Sequence, residues 1–165
     1  MTGSTRTATA PAVRWLDADE MSAWRNYVDC FGALNQVLEA DLTPFGLTMG
    51  DYEVLVRLSE APDHRLRMCD LAGQLRLSPS GLTRRLDGLV KNGVVDRKPS
   101  EDDRRVMLAV LTDAGYRLLI AAAPHHVGGV RQHFIDRLTS AEVRALGSAF
   151  AKVGAALAAR HSAAS

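Results

Sequence analysis

One segment near the middle of the chain combines hydroxyl and cationic side chains at helical spacing. From 79 to 91 the apolar residues recur every three or four positions and form one stripe: Leu82, Leu86, Leu89 and Val90. With that stripe facing a core, Gly81 and Arg85 lie on a flank and the outward face consists of Ser80, Arg84, Asp87 and Lys91. An arginine can bond a guanine edge through two N–H groups, and hydroxyls at a helix N-terminus can hold phosphate. We therefore predict a nucleic-acid-binding helix face. The alternative for the arginine pair alone is an ordinary solvated surface.

The elements around this segment predict a winged helix-turn-helix. Ser78 and Pro79 suit the N-cap and the first position of a helix, and Asn92-Gly93 suits its end. In such an arrangement the second helix of the pair enters the DNA major groove. The predicted order is a short helix at 68–76, a turn at Leu77-Ser78, the helix above, and strands at 94–95 and 106–111 joined by the polar stretch 98–105.

The tip of the predicted hairpin mixes acidic residues with arginines, where a plain turn would prefer Gly or Asn. Asp103 can pair with Arg105 and fix its guanidinium, so that the wing presents an ordered cation to the narrow, electronegative minor groove. The alternative is a solvated charge cluster, because exposed ion pairs contribute only about 0–1 kcal/mol. The tip sequence is Ser100-Glu101-Asp102-Asp103-Arg104-Arg105.

The charge of the chain is unevenly distributed. All 165 residues carry a net charge of +1. Residues 65–105 hold 10 Lys and Arg against 6 Asp and Glu, a net +4, so the remainder is at −3. If the winged helix bound only proteins, residues 65–105 should be close to neutral. Their basic charge instead favours a polyanion as partner. The chain has no phosphate-binding Gly-rich loop, no Gly-x-Ser-x-Gly and no His-Glu-x-x-His, which argues against an enzyme.

The predicted fold class is mainly α, with the element order α1-α2-β1-α3-α4-β2-β3-α5-α6 and a short strand near Arg65-Leu66. Asp17 and Glu20 have the spacing of a capping box at the start of a long amphipathic helix. In the last helix the apolar spacing alternates between three and four, which is typical of a coiled-coil seam. The seam consists of Val143, Leu146, Phe150, Val153 and Leu157. We expect a disordered arm at 1–13, a dimerisation helix at 14–47, the winged helix-turn-helix at 48–112 and C-terminal dimerisation helices at 113–165.

The middle of the chain resembles the MarR family of bacterial transcriptional regulators. The resemblance covers roughly residues 48–117, and the flanking helices match the family by pattern only. It rests on the run Leu77-Ser78-Pro79-Ser80-Gly81-Leu82-Thr83-Arg84-Arg85-Leu86-Asp87-Gly88-Leu89-Val90, followed by Asp103-Arg104-Arg105 and Leu111-Thr112.

The resemblance implies a homodimer whose first and last helices intertwine, with each protomer offering one winged helix to half of an inverted-repeat operator. By position, Ser80, Thr83, Arg84 and Arg85 would contact the major groove or its phosphates, and Arg105, held by Asp103, the minor groove. Ser78, Lys91 and Arg104 complete the predicted DNA-binding set. We therefore expect a sequence-specific, ligand-responsive, DNA-binding transcriptional regulator that acts as a repressor. The alternatives are a protein-interaction module and a thiol-oxidation sensor using Cys30 or Cys69.

Members of this family release DNA on binding a small molecule, often aromatic, or on thiol oxidation or metal binding. A small aromatic effector would have Trp24, Tyr27, Phe31 and Tyr52 as candidate contacts, although aromatics at this spacing are more often core residues. Free cysteines are usually small buried hydrophobes. The cluster of His125, His126 and His133 lacks the partners of a metal site, so we expect neither a metal nor a cofactor.

The composition favours a cytoplasmic protein. No window approaches the roughly 18 apolar residues of a membrane helix, and the first 13 residues lack the apolar stretch of a secretory signal. Two cysteines are too few for a disulfide framework. We therefore expect reduced thiols and no membrane partner.

Overall fold

The computed structural model describes residues 13–163, with side chains described up to residue 160. These residues fall into two compact units, one ending at Ala33 and the other beginning at Leu34. The elements are α1 (Ala18–Leu42), α2 (Met49–Glu60), β1 (Arg65–Arg67), α3 (Met68–Gln74), α4 (Pro79–Lys91), β2 (Val95–Pro99), β3 (Met107–Leu111), α5 (Asp113–His133) and α6 (Ser140–Ala163). Single 3-10 turns lie at Thr43–Phe45, Pro62–His64 and Ile135–Arg137. The predicted element order and the mainly helical winged helix-turn-helix fold are confirmed.

In the first unit, α1 begins at the predicted capping box. The backbone N–H of Asp17 donates to Glu20 Oε2 at 3.0 Å, and the N–H of Glu20 donates to Asp17 Oδ1 at 2.9 Å. These bonds satisfy two of the backbone donors that a helix start leaves open. Apart from Val13, the predicted arm at 1–13 lies outside the described residues.

The second unit contains the hydrophobic core. In α4 the predicted stripe faces this core: Leu82, Leu86 and Leu89 are buried, and Val90 is partly buried against them. Burial of leucines that recur every three or four residues fixes which side of α4 faces outward. Other buried side chains come from α2, α3, the sheet and α5: Val54, Leu55, Leu58, Leu71, Val95, Ala109 and Leu119.

The three strands form an antiparallel sheet in the order β1-β3-β2. Val95 pairs with Leu111, and Pro99 pairs with Met107. The prediction ended the first hairpin strand at Val95 and was wrong there, because β2 continues through Pro99. Pro99 is tolerated because β2 is an edge strand. On its outer side no strand of the described residues is present to accept the N–H that proline lacks. Val94 lies just after α4 instead, in the turn that ends the helix, where its N–H donates to Leu89 O at 3.0 Å.

Thr112 joins the winged helix to α5. Its side chain caps α5 by accepting a hydrogen bond from Gly115 N at 3.0 Å, and it donates to Gly93 O at 2.8 Å. A Cβ on Gly115 would overlap the Val94 carbonyl, so only glycine allows this close approach. The start of α5 is therefore attached to the C-terminal end of α4 and to the base of the wing.

Candidate nucleic-acid interface

The N-terminus of α4 is organised by hydroxyl groups. Ser78 is the N-cap, and its Oγ accepts a hydrogen bond from Gly81 N at 3.1 Å. The hydroxyls of Ser78 and Ser80 lie 3.2 Å apart. Thr83 Oγ1 donates to Pro79 O at 3.0 Å. Three of the predicted site residues thus also serve the helix itself, while all three remain exposed and keep oxygen lone pairs for a further donor.

The turn before α4 contains a residue in left-handed backbone. Arg76 has φ +54°, its N–H donates to Gly73 O at 3.1 Å, and the N–H of Leu77 donates to Ala72 O at 2.9 Å. These two bonds form the Schellman pattern that ends a helix, usually with glycine at the left-handed position. The first helix of the pair therefore ends at Gln74 and not at the predicted residue 76.

Two neighbouring arginines of α4 have different surroundings. Arg84 is exposed, and its side chain makes no ion pair or hydrogen bond with the part of the chain that the structure describes. Arg85 is half-buried, and its Nη1 lies 3.0 Å from Thr48 Oγ1 and 3.7 Å from Asp51 Oδ1. Thr48 and Asp51 form the capping box of α2, so Arg85 is held against the start of that helix. The predicted outward face is exposed throughout: Ser80, Arg84, Asp87 and Lys91.

The wing tip contains the predicted ion pair. Asp103 Oδ1 accepts from the backbone N–H of Arg105 at 3.0 Å and from its Nε at 3.2 Å. These bonds, chiefly the backbone one, lower the pKa of Asp103 below its ordinary value, with Arg67 adding a favourable charge. The Arg105 side chain is nevertheless 91% exposed. The carboxylate orients a cation that remains accessible, and Arg104 beside it is also exposed.

Arg97 was not among the predicted site residues. From β2 its Nη2 donates to Thr83 O at 2.7 Å and to Asp87 Oδ1 at 2.9 Å, so it links the wing to α4. The alternation of side chains along β2 could have placed Arg97 on the same face as the buried Val95. Lys98, on the other face, pairs with Asp96 at 3.2 Å.

The candidate effector contacts lie in two different environments. In the first unit, Trp24, Tyr27 and Phe31 are exposed, and successive rings lie 5.8 Å apart. In the second unit, Tyr52 is 8% exposed, and its ring centroid lies 4.6 Å from that of His126. Burial raises the pKa of Tyr52. The structure thus places Tyr52 in the hydrophobic core.

The histidines and cysteines whose side chains the structure describes do not gather into a metal-binding cluster. His125 packs on Phe45 with ring centroids 5.0 Å apart, and His133 is exposed. Between residues 13 and 160 no group of three or more His, Cys, Asp or Glu side chains could hold a metal ion. Cys30 and Cys69 are free and exposed, and Cys69 Sγ lies 3.5 Å from Asp70 Oδ1.

The apolar seam of α6 is largely accessible in the single chain. Phe150, Val153 and Leu157 are exposed, whereas Val143 and Leu146 are half-buried. None of the helices in the described range is long and apolar enough to cross a membrane.

Comparisons of sequence and of structure both find similarity to transcriptional regulators. The MarR family model matches residues 47–107. The HTH-type transcriptional repressor YetL of Bacillus subtilis (strain 168) is 28% identical over 141 residues, which are 84% of this chain and 84% of YetL. The crystal structure of AbsC, a MarR family transcriptional regulator from Streptomyces coelicolor, is 41% identical and has a TM-score of 0.85, covering 89% of this chain and 99% of AbsC. Sco3205, a MarR family regulator from the same organism solved in complex with DNA, is 38% identical with a TM-score of 0.83, covering 88% and 91%.

Proposed function

The chain belongs to the MarR family of transcriptional regulators, and from that premise we propose that it is a homodimeric repressor that binds a palindromic operator and responds to a small ligand. One observation carries the DNA-binding part of this proposal: two different elements each present an accessible arginine. Arg84 is exposed and unpaired within the described residues of α4, and Arg105 is ordered and 91% exposed at the wing tip. A helix in the major groove and a cation in the minor groove are a common way to read one half-site.

The charge distribution supports the same proposal. The net charge of +4 over 65–105 lies in the elements that carry both arginines, and the remainder of the chain is at −3. Phosphate neutralisation by Lys and Arg makes DNA binding depend on salt. The similar Sco3205 has been solved in complex with DNA, which favours DNA over a protein partner.

A second copy of the chain is the proposed cover of the α6 seam. Phe150, Val153 and Leu157 repeat at spacings of three and four and are exposed in one protomer. Burying each side chain of this size contributes about 1.5–3 kcal/mol, so leaving the seam in water is unfavourable. A two-fold dimer would place its two α4 helices in successive major grooves, on half-sites about 10 bp apart.

A cavity of about 410 Å³ supports ligand response. Its walls come from the turn after α1, the end of α4 and the first half of α5. A monocyclic aromatic molecule between these elements would alter the position of α4 relative to α5. The apolar lining residues are Phe45, Leu47, Leu89, Val94 and Leu118.

The proposal is tested by selecting fragments of the source genome with the purified protein at moderate salt. We expect recovery of one or a few fragments containing an inverted repeat, with affinity that falls steeply as salt rises. Arg84→Ala should recover much less of these fragments while remaining a folded dimer by circular dichroism and light scattering. Recovery of no preferred fragment by the wild-type protein would exclude the operator-binding function.

The dimer and the ligand are tested separately. Val153→Glu should convert the dimer to a monomer in light scattering and weaken binding to the recovered fragment, and a monomeric wild-type protein would contradict the dimer. A panel of phenols and aromatic acids is then added to the wild-type complex. Gly88 also lines the proposed ligand cavity, and a Cβ there would meet nothing within 4 Å. We therefore expect the added side chain in Gly88→Leu to occupy the cavity and abolish release by a compound that acts on the wild-type complex. The ligand proposal fails if no compound changes the affinity.

A further inference from the structure

The geometry assigns Arg97 as a positioning residue that holds the wing at a fixed orientation to α4, so that the two DNA-reading elements act as one rigid body. This inference rests on the proposed DNA-binding function and adds a residue to it. Arg97 bonds α4 at two points, the Thr83 carbonyl at 2.7 Å and the Asp87 carboxylate at 2.9 Å. Hydrogen bonds from a charged donor are shorter and stronger than neutral ones.

The burial of Arg97 separates it from residues that would contact DNA directly. Its side chain is 26% exposed, against 91% for Arg105 on the same hairpin. Its Nε is buried and has no hydrogen-bond partner among the described residues. The guanidinium therefore packs against its own protein, and two of its donors are already directed at α4. With Nη2 bonded to α4 and Nε buried, only the Nη1 donors are left for a phosphate.

The two acceptors on α4 lie beside the predicted reading residues. Thr83 directly precedes Arg84, and Asp87 is on the outward face with a side chain 59% exposed. Fixing the Thr83 carbonyl restricts rotation of α4 about its own axis relative to β2. That rotation sets where the Arg84 guanidinium lies when Arg105 is in the minor groove. Arg97 also neutralises Asp87, whose carboxylate would otherwise face the DNA phosphates.

The register of β2 transmits this restraint to the wing tip. Arg97 pairs with Ala109, which is fully buried, and two residues further on Pro99 pairs with Met107 at the base of the tip. Antiparallel pairing over five positions makes β2 and β3 a continuous ribbon. A restraint at Arg97 therefore acts on Asp103 and Arg105, even though neither makes a side-chain hydrogen bond or ion pair with α4 among the described residues.

The first test needs no DNA. Spin labels are attached at Lys91→Cys and Glu101→Cys in a Cys30→Ser/Cys69→Ser background, and the labelled protein is diluted with unlabelled protein so that only distances within one protomer contribute. Pulsed electron resonance should give a narrow distance distribution, broadened by Arg97→Ala and less so by Arg97→Lys. The matched control is Lys98→Ala, the next residue on the strand, which should leave the width unchanged. An unchanged width in Arg97→Ala would overturn the assignment.

The second test uses the fragment that the wild-type protein selects. Arg97→Ala should reduce the ratio of its affinity for that fragment to its affinity for a scrambled one by about tenfold. The slope of log affinity against log salt should not change, because no phosphate contact is lost. A slope smaller by about 1 with an unchanged ratio would instead identify Arg97 as a phosphate contact. If the double variant Arg97→Ala/Asp87→Ala bound the fragment with wild-type affinity, the role of Arg97 would be only to neutralise Asp87. Either result overturns positioning.

The two tests keep the inference apart from the function on which it rests. If the wild-type protein selects no fragment, the operator-binding proposal fails, while the distance distributions still decide whether Arg97 holds the wing to α4. If fragments are selected and the distances do not respond to Arg97→Ala, the function stands and the positioning role fails.

Discussion

Asp103 holds Arg105 by two hydrogen bonds to a single carboxylate oxygen, one from the backbone N–H at 3.0 Å and one from Nε at 3.2 Å. The outer N–H groups of the guanidinium remain available, since the side chain is 91% exposed. The first residue of the pair thus orients the second and leaves it free to bind. Such an arrangement reduces the rotamer entropy that Arg105 would lose on entering a narrow groove.

Arg105→Ala should lower affinity for the selected fragment by about tenfold, since the cation proposed for the minor groove is lost. Asp103→Ala keeps the arginine but removes its support, and we expect a smaller loss. Fluorescence anisotropy with labelled fragment at fixed salt measures both, and Glu101→Ala at the same tip is the control. A larger loss in Asp103→Ala than in Arg105→Ala would contradict the assigned order of roles.

The two arginines of α4 should respond differently to substitution. Arg84→Ala removes an unpaired cation of the outward face and should cost about 1–3 kcal/mol of binding free energy. Arg85→Ala removes a side chain held by Thr48 and Asp51, so its main effect should be a small loss of folding stability, about 0.5–1 kcal/mol. Anisotropy and urea denaturation on both variants separate the two effects. Equal losses of DNA affinity would show that Arg85 leaves the α2 cap to bind DNA.

Arg76→Gly should stabilise the fold. A side chain at φ +54° is strained by about 1 kcal/mol, and glycine adopts this conformation without strain. Gly93→Ala is the matched opposite, because Gly93 has φ +69° and a Cβ there would meet nothing within 4 Å. It should lose about 1 kcal/mol through backbone strain alone. Urea denaturation midpoints, with unchanged slopes, measure the stability of both variants. A less stable Arg76→Gly would mean that the arginine side chain stabilises the fold by more than its left-handed backbone destabilises it.

Stability should fall as pH decreases below about 6.5 because of His126. Burial lowers the pKa of this histidine, an effect that Asp41 partly opposes. The unfolded chain therefore binds a proton that the folded chain disfavours, and stability rises with pH through this range. The penalty is absent above the unfolded pKa and complete below the folded one. Urea denaturation at about pH 7.5 and about pH 5.5 should show a smaller decrease in His126→Gln than in wild type, with His133→Gln unchanged. Equal decreases in all three proteins would rule out His126 as the cause.

Local features of the sequence determined the fold of the central region. The spacing of Leu82, Leu86 and Leu89 and the Ser78-Pro79 start predict α4 and its outward face, because helical periodicity and capping depend on residues only three or four positions apart. The same holds for the Asp103–Arg105 pair, whose members are two residues apart. These predictions were confirmed. The strand boundary at Pro99 was missed because pairing along an edge depends on the neighbouring strand.

The tertiary structure decided how the functional side chains are used. Helical spacing places Arg84 on the outward face and Arg85 on a flank, but it does not show what Arg85 binds; that partner is Thr48, which is 37 positions away. The link from Arg97 to α4 spans 10 and 14 positions and joins a strand to a helix. Such contacts depend on how separate elements pack around the shared leucine core. The sequence by itself therefore determined which faces are polar, and only the packed chain decided which cations bind within the protein and which remain accessible for the proposed DNA contact.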